Sequence, residues 1–274
     1  MKYEEALKYL MFIPIAFLLF SSALLLTNLF TKGEIIERDI ELKGGKILTI
    51  ETENITLLET LFPEAKPQIL KGAKTLVVLE FDYNTDIHKV LQTLKEHGIS
   101  GEYTVEEIGP VLGSIFWEQA IKAIIVAFIL MSIVIAIAFR TLVPCVAVIL
   151  AAVTDIVGAL AIMNLLGIKL SLATLGALLM LIGYSVDTDV LLTTETIKTR
   201  LTFGEGLKKA MKTGLTMSFT TISVLAIMSI FSASLVIKEI ATVVLIGLII
   251  DIFSTWFTNA GILKIYVSKH VEKS

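Results

Sequence analysis

Apolar residues run in six long blocks, approximately 9–30, 119–139, 143–163, 170–192, 215–231 and 240–262. A bilayer core of about 30 Å is crossed by about 20 mostly apolar helical residues, so each block predicts a membrane span. The first is too long for the apolar part of a signal peptide and no small-x-small cleavage site follows it, so it reads as a retained span. The predicted fold class is an all-α six-helix transmembrane bundle. Three parts follow: residues 1–30 as the first span, 31–118 as an inserted domain, and 119–274 as a five-span bundle with a loop at 193–213.

Within 31–118 the pattern changes period. "KILTIET" (46–52), "TLVVLEF" (75–81) and "EYTVEEI" (102–108) alternate like strands, and "PQILKG" (67–72) is a weaker fourth. "ITLLETLF" (55–62) reads as a short helix that Thr56 and Glu59 are placed to cap. "DIHKVLQTLKEHG" (86–98) is amphipathic, with Ile87, Val90, Leu91 and Leu94 on one face and a glycine stop. The strand-helix-strand-strand-helix-strand order predicts a small α+β, ferredoxin-like domain, a fold that by itself says nothing about activity.

Composition sharpens this picture. The chain has 274 residues, 55% hydrophobic and 18% charged, which a soluble domain of this length does not carry. Basic residues gather at one side of the spans: Lys2 and Lys8, Arg140, the group Lys198, Arg200, Lys208, Lys209 and Lys212, and Lys264, Lys269 and Lys273. By the positive-inside rule that side is cytoplasmic, with both termini and the 193–213 loop, and residues 31–118 are extracellular. The inserted domain carries 16 acids against 9 bases, which argues against nucleic-acid binding. Cys145 is the single cysteine, so no internal disulfide forms, and it reads as a packing residue. His88 and His97 have no partner at ligand spacing; no metal site and no cofactor is expected.

Acids within the spans are the candidate chemistry. A carboxylate at bilayer depth costs about 2.5 to 3.5 kcal/mol on insertion scales, so it should face protein or water. Asp155 shares a helix face with Ala151, Ala152, Gly158 and Ala159, and Asp251 with Gly247, Ser254, Thr255 and Thr258. Asp187 groups with Gly183 and Tyr184, whereas Asp189, two residues on, falls on the nearly opposite face with Ser185 and Thr193. Asp187 is taken as the working acid, with Asp155 and Asp251 completing a proton relay. Asp189, nearer the cytoplasmic end, is expected to reach interfacial water and to support the relay with Tyr184, Ser185, Thr216, Thr220 and Thr221. The hydroxyl stripe of the fifth span, Thr213, Thr216, Thr220 and Ser223 with Thr221 beside it, is expected to face inward. No Lys or Arg stands mid-span as a fixed countercharge. The plainer reading is that the acids are hydrogen-bonded plugs between helices.

From "LLGIKLSLATLGALLMLIGYSVDTDVLL" (165–192) onward a family likeness becomes specific. The chain resembles the SecF members of the SecD/SecF family of the resistance-nodulation-division superfamily. "IELKGG" with Gly44 and Gly45 is similar to the family's I-D-F-x-G-G, and "IGP" with Gly109, Pro110 and Gly113 to V-G-P-x-x-G. Phe139-Arg140, Thr154-Asp155 and "SFTT" (218–221) match further motifs, and Gly183 falls within G-Y-S. Two departures stand out: "GYSVDTD" replaces the bacterial G-Y-S-x-N-D-T, resembling an archaeal form, and Asp251 stands where bacterial members have glycine.

The resemblance implies a subunit of the Sec protein translocase in the cytoplasmic membrane. It implies pairing with SecD, contact with a SecY-type channel and with exported polypeptides, and use of the proton motive force in late steps of export. The alternatives are a passive assembly subunit of the same complex, or half of a small-molecule or lipid exporter of the same superfamily. An enzyme is not expected, because the G-x-G-D element of intramembrane aspartyl proteases is absent.

Overall fold

The computed structural model describes residues 2–52, 54–65, 67–71, 75–99, 101–232 and 234–270. Gly72 of the weak strand and Lys273 of the basic tail lie outside the described residues. After α1 (Lys2–Leu10) comes α2 (Phe12–Lys32), stopped at Gly33 in the left-handed conformation that glycine adopts freely. A short α3 (Ile40–Lys43) leads into the sheet domain: β1 (Gly45–Glu51), α4 (Ile55–Leu61), β2 (Gln68–Lys71), β3 (Thr75–Phe81), α5 (Ile87–Glu96) and β4 (Tyr103–Ile108).

The predicted alternation of strands and helices is present. The four strands lie in the order β2-β3-β1-β4, every neighbouring pair antiparallel. Leu48, Ile50, Val77 and Leu79 point from the sheet onto Leu58 of α4 and Val90 and Leu94 of α5. That is the period-two face of each strand meeting the period-3.6 face of each helix. Asp86 caps α5 by accepting from the His88 N–H. At α4 the cap expected from Thr56 and Glu59 does not form; the helix starts after Asn54, with no side-chain cap.

The bundle follows: α6 (Pro110–Phe139), α7 (Leu142–Leu166), α8 (Leu172–Thr193), α9 (Phe203–Phe231), α10 (Leu235–Phe253) and α11 (Ala260–His270). Among the described residues, five helical stretches are long and apolar enough to cross a membrane: 5–32, 110–139, 142–166, 172–198 and 203–231. The block at 240–262 falls on the 19 residues of α10, a π-helical turn at Ser254–Asn259, and α11. The connection expected over 193–213 is mostly helical: a π-helical turn (Thr194–Lys198) extends α8, and α9 begins at Phe203 behind a capping box of Thr202 and Glu205. Polar residues there follow a helical period on a solvated helix end, which a reading by polarity takes for a loop.

Two junctions fix the sheet domain to the bundle. At the first, Gly44 has a φ of +83°, and a Cβ there would stand 2.6 Å from Pro110 Cα; one on Gly113 would stand 2.6 Å from the Gly44 nitrogen. Those motif glycines let α3 lie against the start of α6. At the second, Arg38 and Leu170 form a parallel bridge, with Asp39 N–H donating to Leu170 O and Leu170 N–H to Glu37 O, both at 2.8 Å. The carboxylate of Glu41 accepts from Leu172 N–H at 2.8 Å, at the electropositive start of α8. Lys169 pairs with Glu80 of β3, both side chains nearly buried at 12% and 11% exposure.

Candidate functional site

α7, α8 and α10 pack on one another through a core of Ala152, Ile156, Leu178, Leu181, Val244 and Leu248. Small residues bring the backbones close: a Cβ on Gly247 would meet the Leu181 side chain at 2.1 Å, and one on Gly158 would meet Phe17 at 2.6 Å. Three carboxyls lie buried among these helices: Asp155 at 0%, Asp189 at 0% and Asp251 at 1% exposure.

Hydroxyl and amide donors interlock them. Asp155 accepts from Ser185 Oγ at its Oδ2 and from Ser254 Oγ at its Oδ1, both at 2.6 Å. Asp189 Oδ1 accepts from Asn259 Nδ2 at 2.6 Å and from Thr255 Oγ1 at 2.9 Å. Asp251 accepts from Thr188 Oγ1 at 3.1 Å and from Thr255 Oγ1 at 3.1 Å. Thr255 has one hydroxyl proton and two carboxyls within reach, so it donates to Asp189 or Asp251 but not to both at once. The Thr188 hydroxyl likewise stands 2.9 Å from Ser185 O as well as near Asp251. Such forked donors give the cluster more than one hydrogen-bond pattern on one backbone. Asp189 Oδ2 and Asn259 Oδ1 have no hydrogen-bond partner. Among the described residues no ion pair involves any of the three acids.

The π-helical turn builds half of this arrangement. Ser254, Thr255 and Asn259 all sit in Ser254–Asn259 and all donate to a carboxyl. Single π turns inside α-helices recur at functional sites, because the wider turn re-aims side chains that a regular helix would fan apart.

Asp155 and Asp251 are where the sequence places them, on inward faces; Ser185, read with Asp189 on the face away from the working acid, is fully buried and donates to Asp155. Asp187 and Asp189 are reversed. Asp187 is exposed on the outside of α8, and Asp189, expected at interfacial water, is fully buried among the donors of α10. Two residues along a helix turn the chain by about 200°, so one acid had to point in and the other out. Tyr184, on the Asp187 side, is 38% exposed. Thr216, Thr220 and Thr221 also point away from the cluster. Their hydroxyls are spent on their own helix, at Lys212 O and Met217 O, and Thr213, Thr216, Thr220 and Ser223 are exposed. The face α9 buries runs instead through Gly214, Ser218 and Leu225. Thr258 donates to Met11 O, not to an acid.

Asn259 and Thr188 are the site residues that sequence reasoning missed as donors. Asn259 lies eight residues beyond Asp251, on the face already marked by Ser254 and Thr255, and that spacing was the available signal.

Fold and site together define a multi-pass helical membrane protein whose spans enclose an interlocked carboxyl cluster and which carries a small antiparallel-sheet domain. Residues 88–269 match the model of the "Protein export membrane protein SecD/SecF, C-terminal" family. The protein-export membrane protein SecF of Methanocaldococcus jannaschii is 43% identical over 277 residues, covering 95% of this chain and 96% of that one. SecF of Pyrococcus furiosus is 39% identical over 263 residues, 91% and 88% of the two chains. The chain belongs to the SecD/SecF family, on its archaeal SecF branch. In fold it is similar to the crystal structure of SecDF, a translocon-associated membrane protein from Thermus thermophilus. The TM-score is 0.77 at 20% identity, over 98% of this chain and 39% of that one. The chain thus spans well under half the length of that solved structure.

Proposed function

We propose that this chain is the SecF subunit of a Sec translocase accessory complex, paired with SecD beside a SecY-type channel. Asp155, Asp189 and Asp251 take up and release protons from the gradient and so drive movement of the sheet domain against an exported polypeptide late in its passage. The observation that carries this reading is the cluster itself: three fully buried carboxyls, forked donors, and among the described residues no ion pair to any of the three. Carboxyls so placed cannot all be ionised together, so at least part of the cluster holds protons and changes its hydrogen bonds when it gives them up. One charge moved through 100 mV is worth about 2.3 kcal/mol, enough to shift a two-state packing equilibrium.

The reading also takes α10 with its π turn and α11 as the sixth span, the membrane as the cytoplasmic membrane, and the sheet domain as ferredoxin-like and extracellular. Both termini are then inside, and the chain has no enzymatic activity. The order β2-β3-β1-β4 supports the ferredoxin-like assignment, and the basic residues after the spans support the orientation.

A passive assembly role has one observation in its favour: the cluster's hydrogen bonds join α7, α8 and the π turn after α10, as structural plugs would. Export assays with a collapsible proton gradient separate the two. Asp189→Asn and Asp251→Asn, checked for normal assembly with SecD, lose at least ten-fold of gradient-stimulated export if the acids relay protons. If they lower only stability and leave the gradient response whole, the passive role stands.

A further inference from the structure

We propose that α1 is a lid over one end of the carboxyl cluster, latched to the π turn by the Tyr3 hydroxyl, and that its release lets water reach Asp189. The inference rests on the proton-coupled reading above and adds to it a gate and the residue that positions it.

The acids are shut in on both sides. Toward the sheet domain they are capped by Leu178, Leu181, Val244 and Leu248. Toward the other end stands a second apolar cluster, in which Leu7, Leu192, Leu207, Ala210, Trp256 and Leu263 are buried together. Leu192 lies one turn beyond Asp189 on α8, and Leu207 and Ala210 fall in the first turns of α9. This cluster therefore fills the end of the bundle where α1 meets α11. Aliphatic side chains carry no donor or acceptor, so the layer gives a proton from Asp189 no hydrogen-bonded path.

α1 is the part of that layer that can leave. It has nine residues, and the helix is interrupted at Met11 before α2 begins. Pro14 has no N–H to bond the Leu10 carbonyl, which weakens the helix at that point. The 28 helical residues 5–32 measure about 42 Å at 1.5 Å each. That exceeds a hydrocarbon layer of about 30 Å, so α1 projects beyond it. Leu7 and Tyr3 are turned toward the bundle, with Leu7 fully buried, whereas Glu5, Lys8 and Tyr9 are exposed. The seat is Gly261, where a Cβ would stand 2.7 Å from Met11 Cβ and 3.1 Å from Leu7 O. Held in this way, α1 can swing about Met11 without breaking a span.

Two hydrogen bonds latch it to the cluster. The Tyr3 hydroxyl donates to Trp256 O, and Thr258 Oγ1 donates to Met11 O, both at 2.9 Å. Trp256 and Thr258 stand within the π turn between Thr255 and Asn259, the two residues that donate to Asp189. The bonds run in opposite directions and tie α1 to the segment that aims those donors. When α1 lifts, both bonds go, Leu7 leaves its place, and the turn is free to relax away from Asp189. Tyr3 touches no acid and acts through the turn, which makes it a positioning residue.

The test uses the full chain with the SecD protein of the same organism in inverted membrane vesicles, and reads two rates. One is labelling of Leu192→Cys, in a Cys145→Ala background, by a membrane-impermeant thiol reagent. The other is the shift, after transfer to D2O, of the infrared carboxyl band that Asp189→Asn removes. Tyr3→Phe, which deletes one oxygen, should raise both rates at least ten-fold, and Leu7→Ala should raise them further. Tyr9→Phe, on the exposed face of α1, should change neither. Leu58→Ala, which lowers the Tm through the core of the sheet domain, should also change neither, which separates opening from general loss of stability. If Tyr3→Phe and Leu7→Ala lower the Tm and leave both rates as they were, α1 is ordinary packing and the lid is overturned. If no carboxyl band titrates in the unaltered chain, the proton-coupled reading fails and the lid falls with it. A titrating band whose exchange ignores α1 removes the lid alone.

Discussion

Asp187 and Asp189 are separated by one residue and by every physical circumstance. Among the described residues the first has no ion-pair partner; the second is held by Asn259 and Thr255 with no exposure at all. Replacing Asn259 by Leu leaves Asp189 with one donor where it had two. A buried acceptor stripped of its partner costs about 1–3 kcal/mol, so Asn259→Leu should lower the Tm by several degrees. Asp187→Asn, with no intrachain bond to lose, should leave the Tm of the isolated chain within error. The helical period established in the sequence that the two acids diverge, but not which one turns inward. That depended on donors 66 and 70 residues downstream, in α10 and its π turn. Side-chain chemistry held a partial answer, because Ser185 and Thr193 on the Asp189 face are the kind of residues that line a buried polar cluster.

Elements with a strong period of their own were legible: the three long strands and α5 stand within a residue or two of their expected positions, whereas α6 begins at Pro110 and α9 at Phe203, nine and twelve residues before their apolar blocks. The face of α9 was not. Its hydroxyls repeat at helical spacing, but those of Thr216, Thr220, Thr221 and Ser223 bond their own helix backbone, so the stripe needs no inward partner. At the α3–α6 junction, Gly44→Ala should be among the most damaging single substitutions. It forces a Cβ against the Pro110 backbone at a left-handed φ, where the neighbour cannot move aside. Thermal unfolding should show a loss of more than about 2 kcal/mol, against little change for Gly176→Ala, whose Cβ meets open space. The second junction gives α8 a further part, since the helix that carries Ser185, Thr188 and Asp189 is bonded at its start to Glu41 and lies next to the Lys169–Glu80 pair. Glu80→Gln leaves a nearly buried lysine without that partner, at a cost of about 3 kcal/mol. Hydrogen exchange should rise in the 37–41 strap and β3 while α7 and α10 stay protected.

At the scale of the whole molecule, the sheet domain and the carboxyl cluster are two ends of one connected body, and pH should reach both. Burial pushes the Asp39 carboxyl above the usual carboxylate range, against the opposing pull of the Ile40 N–H and Lys169. The folded chain then binds that proton more tightly than the unfolded one. The stabilisation is complete below the unfolded value of about 3.9 and is lost as pH rises through the higher folded value. Asp39→Asn should flatten that part of the stability-against-pH curve in denaturant melts. The central claim, that the buried cluster binds and releases protons, is tested most directly by infrared difference spectroscopy of the carboxyl C=O stretch across a pH titration in membranes. A band that titrates in the unaltered chain, persists in Asp187→Asn and disappears when Asp155, Asp189 and Asp251 are all changed to Asn is the expected result. A band that survives that triple change, or no titrating band at all, would contradict it.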